Sequence, residues 1–174
     1  MEPTALLTEE LTMSNDLRSA LNHAVADELD AALSRIVHCV NQLSEEQVWV
    51  RPPHGLNAIG NLLVHLTGNV QQVIANNLSG APDTRNRAAE FATRDAVPKA
   101  ELLRTLTDTI QQAKAAFAGA TDERLATVVR VNNQDWTGVQ AAVRSLAHFR
   151  GHAQEIIRAT RELLGDSYQY AGPK

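Results

Sequence analysis

Apolar residues along the chain recur at helical and not at strand spacing. From Leu17 through Leu21, Ala24, Leu29, Leu33, Ile36, Val40 and Leu43 the steps are three, four and five, which predicts an amphipathic helix over about 15–42. Ser14-Asn15-Asp16 supplies residues suited to cap its start. Ser44-Glu45-Glu46-Gln47 then reads as a capping box for one short turn, and Arg51-Pro52-Pro53-His54-Gly55 breaks the chain. A second helix is expected over about 57–78, capped by Asn57, with Ile59, Leu62, Leu63, Leu66, Val70, Val73 and Ile74 on its apolar face. Ser79-Gly80-Ala81-Pro82 ends it.

The stretch from Asp83 to Ala96 is polar, carries Arg85 and Arg87, and is long for a connection between bundled helices. Pro98 suits the first position of a third helix over about 98–118, with Leu102, Leu103, Leu106, Ile110 and Phe117 facing inward. Residues Ala126 to Val131, followed by Asn132-Asn133, read as extended chain or a small hairpin. Thr137 with Gln140 forms a second capping box that opens a fourth helix over about 138–164. The expectation is an all-α chain, a four-helix bundle occupying residues 1–174 as a single domain.

Composition narrows the function. Lys and Arg total 16 against 20 Asp and Glu, a net charge of −4, so the basic footprint needed for nucleic acid is lacking. The most apolar stretch, Ala58 to Leu66, is too short to span a bilayer, and Met1-Glu2-Pro3-Thr4 has no secretory character. These features point to a cytoplasmic protein with neither nucleic acid nor membrane as partner. The single cysteine, Cys39, sits among Ile36, Val37 and Val40 as a small buried hydrophobe.

Six histidines are the natural place to look for chemistry, because imidazole is the commonest protein ligand for transition metals. His148 and His152 are four apart, one turn above the other on the fourth helix. At about 100° per residue they fall on one shoulder of the stripe formed by Val143, Leu146, Phe149, Ala153, Ile156, Ile157 and Leu164. Small residues, Ala141, Ser145 and Ala159, share that shoulder. His65 lies mid-helix beside the apolar face of the second helix, placed to complete a three-histidine site with open positions for water or substrate. His23, His38 and His54 read as surface or loop residues. Asn61 and Asn69, one turn either side of His65, are candidates to support it or to line a pocket. Arg150 reads as an ion-pair partner, and Arg85 and Arg87 as a solvated loop or a carboxylate clamp. There is no phosphate loop, nucleophile elbow, His-Glu-x-x-His or Glu-x-x-His motif. No catalytic residue beyond the metal triad is assigned.

Helix two's Asn57-Ala58-Ile59-Gly60-Asn61-Leu62-Leu63-Val64-His65-Leu66 and helix four's Ser145-Leu146-Ala147-His148-Phe149-Arg150-Gly151-His152-Ala153-Gln154-Glu155-Ile156-Ile157 resemble the DinB-like superfamily. That group includes YfiT-like thiol transferases and mycothiol-dependent maleylpyruvate isomerases. The segments Trp49–Pro53, Arg85–Phe91 and Leu164–Tyr168 agree with an uncharacterised branch of it. The resemblance implies a homodimeric bundle in which His65, His148 and His152 hold a divalent ion, zinc or nickel. It also implies transfer chemistry with a low-molecular-weight thiol, whose thiolate the ion would stabilise. Many relatives carry Gln three residues after the second histidine of the pair. Here that place is Glu155, which is expected to accept a hydrogen bond behind a ligand or to face water.

The leading expectation is a metal-dependent thiol transferase or hydrolase acting on a small electrophile. The rival is a non-catalytic dimeric bundle that binds a small ligand or a protein, with a structural metal or none. A cleft with basic groups at its mouth would favour the first; a filled cleft or a fourth protein ligand would favour the second.

Overall fold

The computed structural model describes residues 3–94, 97–131 and 133–170, with side chains described from Asp16 onward. Helices α1 (Pro3–Asn41), α2 (Glu45–Trp49) and α3 (Ile59–Val70) lead into a π-helical stretch, Gln71–Asn76. Then come α4 (Asn77–Ser79), α5 (Arg87–Ala92), α6 (Lys99–Gly119) and α7 (Asp122–Ala126). An antiparallel ribbon, β1 (Val128–Val131) with β2 (Gln134–Thr137), precedes α8 (Gly138–Leu164). The fold is all-α apart from that ribbon. α1 packs on α6 and α8, and α3 packs on the same two, closing a four-helix ring. Leu29, Ile36, Leu62, Leu66, Leu106, Ile110, Phe117, Phe149 and Ile156 fill its centre and are nearly inaccessible. Burial of each such side chain contributes roughly 1.5–3 kcal/mol. No described helix is long and apolar enough to cross a membrane.

Both capping boxes form. Ser44 caps α2 with Gln47 reaching back to its N–H, and Thr137 with Gln140 does the same for α8. Several local expectations need correction. α1 begins at Pro3 and runs through the Ser14–Asp16 cluster, so capping residues there do not start a helix. Its stripe enters the core only from Val25, and Leu17 is 71% exposed; on α8, Val143 is 50% exposed. Asn57 is not the cap of α3. Ala58 occupies that position without a side-chain hydrogen bond, and tertiary packing fixes the helix start instead. The Trp49 ring lies so close to Gly60 that a Cβ there would come within 2.8 Å of it, while Trp49 Nε1 donates to the Val97 carbonyl (3.1 Å).

The second helix is also not uniform. After Val70 the backbone widens into the π stretch, where Gln71 Nε2 donates to Asn76 Oδ1 (2.7 Å) across five residues. The polar segment after Pro82 is not all loop, because α5 forms within it, capped by Asn86 Oδ1 accepting from the Ala89 N–H (3.1 Å). Pro98 stands one position before α6, as its N-cap, and not inside it. Of the expected Asn132-Asn133 turn, Asn132 lies outside the described residues and Asn133 has a left-handed φ of 62°.

Candidate metal centre

α3 is buried along most of its length, and His65 is only 3% exposed. Opposite it, α8 presents His148 and His152 from successive turns, both partly buried. One ring nitrogen from each of His65, His148 and His152 falls within 4.8 Å of the other two. The rings stand nearly perpendicular to one another, at 82–87°, with centroids 4.4–5.2 Å apart. The structure therefore brings together all three residues that the sequence singled out.

Hydrogen bonds fix which nitrogen of the His65 and His152 rings faces the cluster. Glu90, on α5, is buried and accepts from His65 Nδ1–H (Oε2, 2.8 Å). Arg85 holds that carboxylate from the other side, donating through Nε to Oε1 (2.6 Å) and through Nη2 to Oε2 (2.9 Å). Glu155 Oε2 accepts from His152 Nδ1–H (2.7 Å). In both histidines the proton sits on Nδ1, leaving the Nε2 lone pair for the centre of the cluster. A carboxylate behind an imidazole in this way fixes the tautomer and raises the basicity of the ligand nitrogen.

The donor set fits a cation. His65 Nε2 and His148 Nε2 are 2.9 Å apart, and two bare lone pairs cannot face each other at that distance. Either a proton on His148 or a positive ion must lie between them. Burial also favours the neutral form of His65 and of His148. It lowers the pKa of His65 against the opposing pull of Glu90, and it lowers that of His148 to about 4, with help from His152, His65, Arg85 and Arg87. Neutral imidazole is the form that ligates. Among the described residues no fourth His, Cys, Asp or Glu joins the cluster.

The surrounding residues sort differently from the sequence reading. Asn61 does not line the site. Fully buried, it accepts from Arg51 Nη2 (2.8 Å) and donates to the carbonyls of Glu90 (3.0 Å) and Thr93 (3.1 Å), fastening α5 to α3 and so placing Glu90. Asn69 does face the cleft, its Oδ1 accepting from Ser145 Oγ–H (2.9 Å). Arg85 is not solvated; its side chain is 5% exposed. Glu90 was missed, and its signal was a carboxylate between Ala89 and Phe91 in a segment read as loop. Phe91 adds a wall, its ring 4.7 Å from that of His65. Gly68 makes room for this arrangement, since a Cβ there would come 2.2 Å from Glu90 Oε1.

His23 and His54 are exposed, as expected, whereas His38 is half-buried with its Nε2 2.6 Å from the Gln169 carbonyl. Arg150 pairs with Glu28. Cys39 is buried, 3.7 Å from the Tyr168 hydroxyl. The histidine cluster opens on a cleft of about 310 Å³ that runs along α3 and α8 to Trp136.

Two solved structures share this architecture. A conserved protein from Enterococcus faecalis superposes with a TM-score of 0.66 at 15% identity, over 83% of this chain and 97% of that one. A DinB-like protein, YjoA from Bacillus subtilis, superposes with a TM-score of 0.64 at 12% identity, over 87% and 99% respectively. At such identities the likeness establishes a DinB-like fold and nothing about activity. No curated protein matches the sequence. The model of a family described as a protein of unknown function, DUF1572, matches residues 18–172, and the chain belongs to that family.

Proposed function

We propose that the protein is a divalent-metal enzyme in which His65, His148 and His152 hold zinc or nickel, and that it activates a low-molecular-weight thiol, or water, for attack on a small electrophile. The observation that carries this reading is the convergence of three imidazole nitrogens within 4.8 Å at the end of an open cleft. A bound divalent ion would supply a lowered pKa to a thiol or water in its open position. Three nitrogen donors suit zinc or nickel, and three protein ligands are the usual complement of a catalytic site, whereas structural zinc takes four.

The chain's own residues have separable tasks in this scheme. Glu90 and Glu155 hold the Nδ1 protons and aim the Nε2 lone pairs. Arg85 holds the Glu90 carboxylate in place, while Asn61 anchors the backbone that carries it. Phe91 shields the His65 ring from water. The rival reading, a non-catalytic bundle, asks for a filled cleft or a fourth ligand. The cleft volume and its basic lining weigh against it.

Elemental mass spectrometry on untagged protein purified without chelator tests the centre, beside a His148→Ala/His152→Ala variant. About one zinc or nickel per chain, lost in the variant, is the expected result. Protein that holds no stoichiometric metal and takes none up would overturn the proposal.

A further inference from the structure

The cleft beside the histidines is rich in N–H donors. On α3, His65 and Asn69 lie one turn apart along it, and on α8, Arg144 and His148 do so, about 6 Å apart. Arg85, Arg87 and Arg144 all line it, and no lining residue is acidic, in a chain whose net charge is −4. The three arginines are not equivalent. Arg85 is spent on Glu90 and on Gln72 Oε1 (2.9 Å). Arg87 lies over the Phe91 ring at 5.1 Å and Arg144 over the Trp136 ring at 4.8 Å. Neither has an ion-pair or hydrogen-bond partner among the described residues. Stacking holds a guanidinium by its face and leaves its N–H edges free, which is the geometry that grips an oxyanion with two parallel bonds. Asn69 spends its oxygen on Ser145 and keeps its amide N–H groups available.

We propose that Arg87 and Arg144 form an oxyanion subsite, so that the ligand of this cleft is a small molecule carrying a carboxylate or phosphate about one helical turn from its reactive group. That reactive group would meet the histidines, a statement that rests on their reading as a metal centre; the subsite itself does not. A volume of about 310 Å³ lies at the lower end for small-molecule sites and suits a compact metabolite better than a nucleotide. With the far end of the ligand held, the near end is positioned without further ordering.

The test is isothermal titration of succinate, and separately of inorganic phosphate, into the protein as purified and after chelator treatment, with metal content measured on the same samples. Arg87→Gln, Arg144→Gln and a distant control, Arg158→Gln, are compared, with circular dichroism as a check on folding. At least one probe is expected to bind in both forms, at least tenfold more weakly in Arg87→Gln and in Arg144→Gln, and unchanged in Arg158→Gln. Which probe binds tighter distinguishes a carboxylate from a phosphate ligand. If neither probe binds, or binding survives both substitutions, the subsite is wrong. Probe binding in protein that holds no stoichiometric metal leaves the subsite standing and counts only against the metal reading.

Discussion

Replacing Gly68 with Ala tests the architecture behind His65 without touching a ligand. The new Cβ would lie 2.2 Å from Glu90 Oε1, 3.1 Å from Glu90 Cδ and 3.1 Å from Arg85 Nε, so the carboxylate must move. Glu90 and Arg85 are both nearly buried, with side chains 7% and 5% exposed. Removing one partner of such a pair costs about 3–5 kcal/mol. Displacement leaves both partners present and able to turn toward water, so about 2–3 kcal/mol is a fairer figure. Against it stands the gain of about 1 kcal/mol that Ala has over Gly inside a helix. The net expectation is a loss of about 1–2 kcal/mol.

Gly151→Ala is the control, because α8 leaves open space where its Cβ would go. That variant should gain up to about 1 kcal/mol. Urea denaturation of the metal-free proteins, with the slope fitted for each, then separates the two variants by about 2–3 kcal/mol. Thermal midpoints should differ by at least about 4 °C, at 2–4 °C per kcal/mol for a chain of this length. Zinc affinity, measured by competition with a chromophoric chelator, should fall by about 10–100-fold in Gly68→Ala alone. If Gly68→Ala is stabilised like Gly151→Ala and keeps its zinc affinity, Glu90 does not stand behind His65.

Two further outcomes are expected. Glu155→Gln should weaken zinc binding in the same competition assay by about tenfold, at the low end of such effects, because the Glu155 and His152 side chains are 33% and 22% exposed and water can replace the lost acceptor; a variant with unchanged affinity would show that Glu155 merely faces solvent. Burial pushes the Cys39 thiol above its ordinary pKa of 9.0. Reaction with a disulfide reagent at pH 8 should therefore be slow in the native protein and fast in urea. Since the folded state holds this proton more tightly than the unfolded one, stability should fall as pH rises past 9, and less steeply in Cys39→Val.

How far the sequence reached depends on the range of the interaction that fixes each feature. The pair His148 and His152 is set by helix geometry alone, and the shoulder on which it lies follows from the apolar stripe. His65 was placed by the same periodicity on its own helix, though nothing in periodicity specifies that two helices 83 positions apart meet at those faces. The groups that serve the histidines were harder to see because they arrive from a short helix inside a polar segment. Glu90 and Arg85 look solvated in sequence, and become buried only because each neutralises the other. Asn61, one turn before His65 on α3, reads in sequence as a candidate to support that ring or to line a pocket, but its side chain points at α5, a direction that no local rule supplies. The cap of α3 failed similarly, because an indole packed on Gly60 does what a capping side chain would otherwise do.

The π-helical stretch after Val70 acts as a joint between two lengths of one rod. Upstream, the phase of α3 is dictated by His65 and Asn69, which must face the cleft. Downstream, it is dictated by Leu78, which must face the core. A uniform 3.6-residue screw carries a single phase and would satisfy one requirement at the expense of the other. One supernumerary residue in the widened turn absorbs the difference, so the site and the core can each be adjusted without rotating the other. Excising a residue between Gln71 and Asn76 would remove that freedom and turn one half of the rod by about 100° relative to the other.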